Sequence, residues 1–290
     1  MPAVLVPPGI EGIVAITELP DPGWRDRWER IFVAGALKER LLNYLLFSLR
    51  QRSRVSTVGL PVHGLIVLAG PPGTGKTTLA GGLADEAARR LGEALLFVEV
   101  DPHAFPSQML GESQRTVARL FDRTLPDLAR RGRPTVVLLD EVESLAVSRT
   151  GASLETNPVD VHRATDAVLA GVDRVSRECP NVVFIATTNH VAGVDVAFLS
   201  RADLVEEVGL PGTDAVSRIL RDTLAELVPA ERLEGPALHA LATECVRRCM
   251  DARQVRKLVL RAVCATEELA LAPERLTLAD VAAALRADGR

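Results

Sequence analysis

The run Gly70-Pro71-Pro72-Gly73-Thr74-Gly75-Lys76-Thr77-Thr78 constrains this chain more than any other stretch. It matches G-x-x-x-x-G-K-[ST], directly after the apolar run Leu65–Ala69 and directly before a segment of helical periodicity, 77–91. Strand, glycine-rich turn and helix in that order are the context a phosphate-binding loop needs. Glycines let successive backbone N–H groups turn inward on phosphate oxygens, and the helix N-terminus adds partial positive charge. On this reading Pro72, Gly73, Thr74, Gly75, Lys76, Thr77 and Thr78 bind ATP. Lys76 reaches the β- and γ-phosphates and Thr77 is a ligand of Mg²⁺. The chain has only three lysines, Lys38, Lys76 and Lys257, so one inside this pattern is no accident of composition. The helix carries Gly81-Gly82, at a cost of about 1 kcal/mol each against alanine, which close packing on a sheet would explain.

Bounded aliphatic runs recur around the loop: Leu95–Val100, Thr135–Leu139 and 182–186 read as buried parallel strands. Between them, 113–131 and 161–177 have helical periodicity, and a more polar run at 203–208 reads as an edge strand. Strands alternating with helices predict a doubly wound α/β fold, a parallel sheet around the phosphate loop. Residues 1–23 hold five prolines and read as an arm and linker, and 28–52 as a helix. After Gly209-Leu210-Pro211-Gly212 the pattern is helical only, at 214–227, 236–250, 251–270 and 277–286. The expected organisation is an arm at 1–23, a large nucleotide-binding domain at 24–212 and a small all-helical domain at 213–290.

Composition narrows the function classes. A net charge of −4, from 34 basic and 38 acidic residues, argues against a dedicated nucleic-acid binder. With 3% aromatic residues the core must be aliphatic. Cys179, Cys245, Cys249 and Cys264 form no C-x-x-C pair; Cys245 and Cys249, one helical turn apart, read as two small buried helix residues. No run approaches the ~20 apolar residues of a membrane span, so the expectation is a cytoplasmic protein without a membrane partner.

Two strand ends carry the hydrolytic chemistry. Asp140-Glu141 closes the strand Thr135–Leu139. The first acid can hold magnesium, and the second can polarise the attacking water, which requires a carboxylate near the γ-phosphate. Asn189, after Thr187-Thr188, can hydrogen-bond that water or the γ-phosphate. Further along, Asp251 reads as a helix N-cap and places Arg253 in the first turn, at the positive end of the helix dipole. An arginine is disfavoured there unless an anion is close.

This order of phosphate loop, acidic strand end, Asn-ended strand and arginine resembles the AAA+ ATPases. The segment 194–203, Val-Asp-Val-Ala-Phe-Leu-Ser-Arg-Ala-Asp, is similar to their second region of homology. The resemblance implies that Arg201 is an arginine finger acting on the nucleotide of a neighbouring subunit; the alternative is an ion pair with Asp203 or Glu206. It makes Arg163 and Arg149 secondary intersubunit candidates, and Arg253, with Arg256 as runner-up, a sensor of the γ-phosphate. More narrowly, Asp140-Glu-Val-Glu-Ser-Leu-Ala-Val-Ser-Arg149, Ala197-Phe-Leu-Ser-Arg-Ala-Asp203 and Ala252-Arg-Gln-Val-Arg-Lys-Leu258 resemble the pachytene-checkpoint ATPases. That family implies a homo-oligomer, a hexameric ring, whose pore loops remodel a HORMA-domain protein from a closed to an open state. Bacterial members resemble parts of antiphage operons with a synthase of cyclic oligonucleotides. The matching pore-loop segment places Met109 and Leu110 where relatives carry a large aromatic. Residues 1–23 are too few for the folded N-terminal substrate domain of the eukaryotic relatives. The rival reading is a DNA-handling AAA+ ATPase of the helicase-loader or transposition-helper type, disfavoured by the acidic charge and the lack of a DNA-reading motif in the last helices.

Overall fold

The computed structural model describes residues 12–33, 35–55, 59–100, 112–130, 132–147, 158–229, 233 and 235–287. They form two compact units, Met1–Gly70 with Lys76–Val208, and Pro71–Gly75 with Gly209–Arg290.

The first unit is built on a six-stranded sheet of β1 (Ile13–Leu19), β2 (Leu65–Ala69), β3 (Leu95–Val100), β4 (Thr135–Leu139), β5 (Val182–Thr188) and β6 (Leu204–Glu207). Their order is β1-β3-β4-β5-β2-β6, with β6 at an edge as its polar sequence predicts. All pairs are parallel except β1 with β3. Side chains alternate across the strands and divide the core in two. Val67, Val98, Val137 and Phe184 face one layer, while Ile66, Phe97, Val136 and Ile185 face the other.

The arm expected at 1–23 is corrected over its second half. Residues 13–19 extend the sheet antiparallel to β3. A register shift between Ile13 and Ala15 breaks the period-two alternation that would have marked the strand. The helix expected at 28–52 is two helices, α1 (Pro22–Glu29) and α2 (Gly35–Gln51). Asp21 caps α1 by accepting from the Gly23 N–H at 2.9 Å, with Pro22 at the first helical position.

The cause of the Gly81-Gly82 pair in α3 (Lys76–Leu91) lies in α1, not in the sheet. A Cβ on Gly81 would lie 2.2 Å from the Trp24 ring, and one on Gly82 would lie 2.8 Å from that of Trp28. Two indoles thus bed directly on the helix backbone that follows the phosphate loop. Lys38 on α2 closes the stack, with its Nζ 4.3 Å from the Trp28 ring centroid and donating to the Trp28 carbonyl at 2.8 Å.

On the other face, α4 (Glu112–Arg119) runs through a π-helical turn, Leu120–Thr124, into α5 (Leu125–Ala129). Pro126 has no N–H to continue the ladder, and the wide turn before it absorbs the loss. α6 (Pro158–Glu178) packs beside it, and Gly171 admits Phe121, whose ring a Cβ there would meet at 2.4 Å. The short α7 (Val196–Leu199) leads to β6.

The second unit is helical: α8 (Thr213–Leu224), α9 (Pro236–Arg247), α10 (Ala252–Val263), α11 (Glu267–Leu271) and α12 (Leu278–Ala287). The helix expected at 251–270 divides into α10 and α11, the latter capped by Thr266, whose hydroxyl accepts from the Leu269 N–H at 3.2 Å. The one expected at 236–250 stops at Arg247, and Cys249 beyond it is exposed, with only Cys245 buried. The core joins Val216, Ile219 and Leu220 of α8 to Leu241 of α9 and Leu258 of α10.

Candidate functional site

The sheet order gathers the three polar strand ends. β5 lies between β2 and β4, with Ala69 beside Thr188 and Leu139 beside Ala186. Gly70, Asp140 and Asn189 therefore leave the sheet side by side at its carboxyl edge, where parallel α/β sheets bind ligands.

Each side chain there is tied to another. Gly70 has φ +153°, and a Cβ on it would sit 2.2 Å from the Val208 carbonyl oxygen, so only glycine lets β2 turn beside the end of β6. Lys76, 6% exposed, donates to the Gly70 carbonyl at 2.8 Å and to Asn189 Oδ1 at 2.8 Å. Burial holds its ammonium below the usual lysine range, and the charges of Glu143, Asp140 and Glu141 act against that. The Thr77 hydroxyl donates to Asp140, 2.9 and 3.1 Å from its two oxygens. Asn189 Nδ2 donates to Glu141 Oε1 at 3.4 Å. Lysine, asparagine and general-base candidate thus form one chain of contacts.

Sequence reasoning gave Thr187 and Glu143 no role. The Thr187 hydroxyl, fully buried, donates to Asp140 Oδ1 and accepts from the Glu141 N–H at 3.1 Å. Glu143 accepts from the Asn189 N–H through Oε1 at 3.1 Å. The available signal for both was their position, a polar residue at the end of an apolar strand or one turn beyond an acidic pair.

Arg201 lies apart from this cluster. Its Nε and Nη2 donate to the two oxygens of Asp173 on α6, at 2.8 and 2.9 Å, and its Nη1 donates to the Ala197 carbonyl at 2.7 Å. Bonding to Asp173 holds the guanidinium above the usual arginine range. Neither alternative partner from the sequence is used. Asp203 accepts from the N–H groups of His63, Gly64 and Leu65 and from Tyr44, and Glu206 pairs with Arg40. These bonds pin the segment behind Arg201 to β2 and α2. Arg163 is exposed on α6, while Arg149, Met109 and Leu110 lie outside the described residues.

In the second unit, Asp251 is the N-cap that the sequence predicts. It accepts from the Gln254 N–H at 2.8 Å, and its own N–H donates to Gln254 Oε1 at 2.9 Å. Arg253 in this first turn is exposed and has no hydrogen bond or ion pair among the described residues. Arg256, also exposed, sits one turn further from the positive helix end. Gly73 (φ +80°) meets the same cap: a Cβ there would lie 2.4 Å from the Asp251 carboxyl carbon.

The model of the ATPase family associated with various cellular activities (AAA) matches residues 66–210, from β2 past the end of β6. This chain belongs to the AAA ATPase family. It is 43% identical over 282 residues to CD-NTase-associated protein 6 of Pseudomonas aeruginosa, across 95% of this chain and 92% of that relative. It is 33% identical to a Pachytene checkpoint protein 2 homolog of Danio rerio, over 72% of this chain and 50% of that protein. Among solved structures, C. elegans PCH-2 matches with TM-score 0.77 and 27% identity, covering 97% of this chain and 77% of the other. A chain in the E. coli MS115-1 HORMA:CdnC:Trip13 complex matches with TM-score 0.81 over 95% of each; at 20% identity that likeness is one of fold. Across nearly its whole length this AAA ATPase is thus similar to CD-NTase-associated protein 6, and over about half of their length to the Pachytene checkpoint protein 2 homologs. Among its described residues no helix is long and apolar enough to cross a membrane.

Proposed function

We propose that this AAA ATPase is a ring-forming, cytoplasmic motor that spends ATP on remodelling a HORMA-domain protein within a cyclic-oligonucleotide antiphage system. The observation that carries the hydrolytic half is the contact chain Lys76–Asn189–Glu141 beside the Thr77–Asp140 pair. The remodelling half is supported by the 43% identity to a CD-NTase-associated protein; the fold is also that of one chain in the HORMA:CdnC:Trip13 complex.

In this reading Pro72, Gly73, Thr74, Gly75 and Thr78 line the phosphates, and Lys76 leaves Asn189 and Gly70 for them. Glu141 accepts the proton of the attacking water, and Asn189 orients that water. Thr77 and Asp140 supply oxygen ligands of the kind magnesium takes; the ion, when bound, neutralises phosphate charge. Arg201 serves the site of a neighbouring copy, and Arg253 senses bound nucleotide. Residues 24–212, together with strand β1 and the start of α1, form the large domain, 213–290 the small one, and Met109 and Leu110 grip the substrate.

Glu141→Gln tests the whole reading. With ATP, it should retain a HORMA-domain protein from source-cell extract without turnover. The wild-type chain should then convert that purified protein from a closed to an open state as ATP is consumed. Retention of no HORMA-domain protein, or an ATPase rate stimulated by DNA instead, overturns the remodelling assignment. Normal hydrolysis by Glu141→Gln overturns the choice of base.

A further inference from the structure

Glu143 has no part in the phosphate and base assignments above, yet it sits among them. The 3₁₀ turn Val142–Ser144 folds the chain back from the end of β4, and the Glu143 carboxylate meets the end of β5. Oε1 accepts from the Asn189 N–H at 3.1 Å. Oε2 is buried without a hydrogen-bond partner among the described residues. Such an oxygen is costly to bury, more so when the group is charged. A solvated carboxylate at the rim would avoid this cost; Glu143 does not.

What the carboxylate holds is the backbone of the residue that joins lysine and base. The Asn189 amide spans Lys76 at 2.8 Å and Glu141 at 3.4 Å, the second at the outer limit of a hydrogen bond. A small displacement of its Cα would break the contact to Glu141. We propose that Glu143 is a positioning residue for hydrolysis: by accepting from the Asn189 N–H, it sets where the Asn189 amide stands between Lys76 and Glu141. This rests on the hydrolytic roles given to Asn189 and Glu141.

The test uses the full assembled chain and steady-state ATPase rates. Glu143→Ala is expected to lower kcat about 10–100-fold with KM little changed, the size of effect that slight misplacement of a reacting group produces. Glu143→Gln keeps an acceptor oxygen and should restore most of the rate. Glu143→Leu, of similar volume and with no acceptor, should behave as Ala does and replaces it if Ala fails to fold. Adding Glu143→Ala to Asn189→Ala should slow turnover no further, because both act through one amide. Wild-type kcat in the Ala or Leu variant, a Gln variant as slow as Ala, or additive losses in the double variant each overturn the proposal. Asn189→Ala at the wild-type rate would instead remove the reading beneath it.

Discussion

Glu141 and Cys249 share a backbone conformation that side chains avoid. With φ of 49° and 53°, they are the non-glycine residues with left-handed backbone among the described residues. Their surroundings differ. Cys249 stands just past the end of α9, where a left-handed residue commonly closes a helix. Its N–H donates to the Val246 carbonyl at 2.9 Å, and that of Met250 donates to Cys245 at 3.1 Å. Glycine would serve that place better, and the Cys249 thiol is free and exposed. Glu141 is held from both sides, its N–H by Thr187 at 3.1 Å and its carbonyl by the Ser144 N–H and hydroxyl at 2.9 and 2.8 Å. The same strain, about 1–3 kcal/mol, closes a helix in one place and aims a carboxylate in the other.

Four substitutions can break or sharpen that contrast. Glu141→Gly should have the largest effect, lowering kcat by about 10²–10⁴-fold, the usual contribution of a general base, while the melting temperature stays level or rises. A parallel loss of stability would show that the left-handed turn is not strained. Thr187→Val removes the hydroxyl between Asp140 and the Glu141 N–H. We expect about 1–3 kcal/mol less stability in urea unfolding, together with slower turnover, and an unchanged rate would separate the turn from the chemistry. Cys249→Gly should add about 1 kcal/mol of stability with the ATPase rate untouched. Arg253→Ala should add a few tenths of a kcal/mol at low salt by removing a cation from a positive helix end, and it should weaken ATP use. If stability alone changed, Arg253 would have no part in sensing nucleotide.

Much of the site was legible because its signals are local. A glycine-rich turn between strand and helix, an acidic pair at an apolar strand end and an Asp-x-x-Gln cap each declare themselves within a few residues. Thr187 and Glu143 were not legible as partners of Glu141 and Asn189. Their hydrogen bonds join two strand ends 46 residues apart. Asp173, which clamps Arg201 from α6, is 28 residues from it and carries no local mark. Strand β1 was hidden by its own irregular register, and the left-handed turn at Glu141 by its ordinary composition.

The phosphate loop by itself determined the nucleotide chemistry and, through the strand before it and the helix after it, an α/β fold. Bounded aliphatic runs determined the other parallel strands, which are buried on both faces, and hydrophobic periodicity determined the helical end of the chain, since burying one face of a helix needs only the right spacing. The tertiary structure alone decided which ends of the sheet meet, why Gly81-Gly82 must be bare beneath Trp24 and Trp28, and which acid faces Arg201. These are contacts between distant segments. Their energy exists only once the sheet order β1-β3-β4-β5-β2-β6 has brought the segments together.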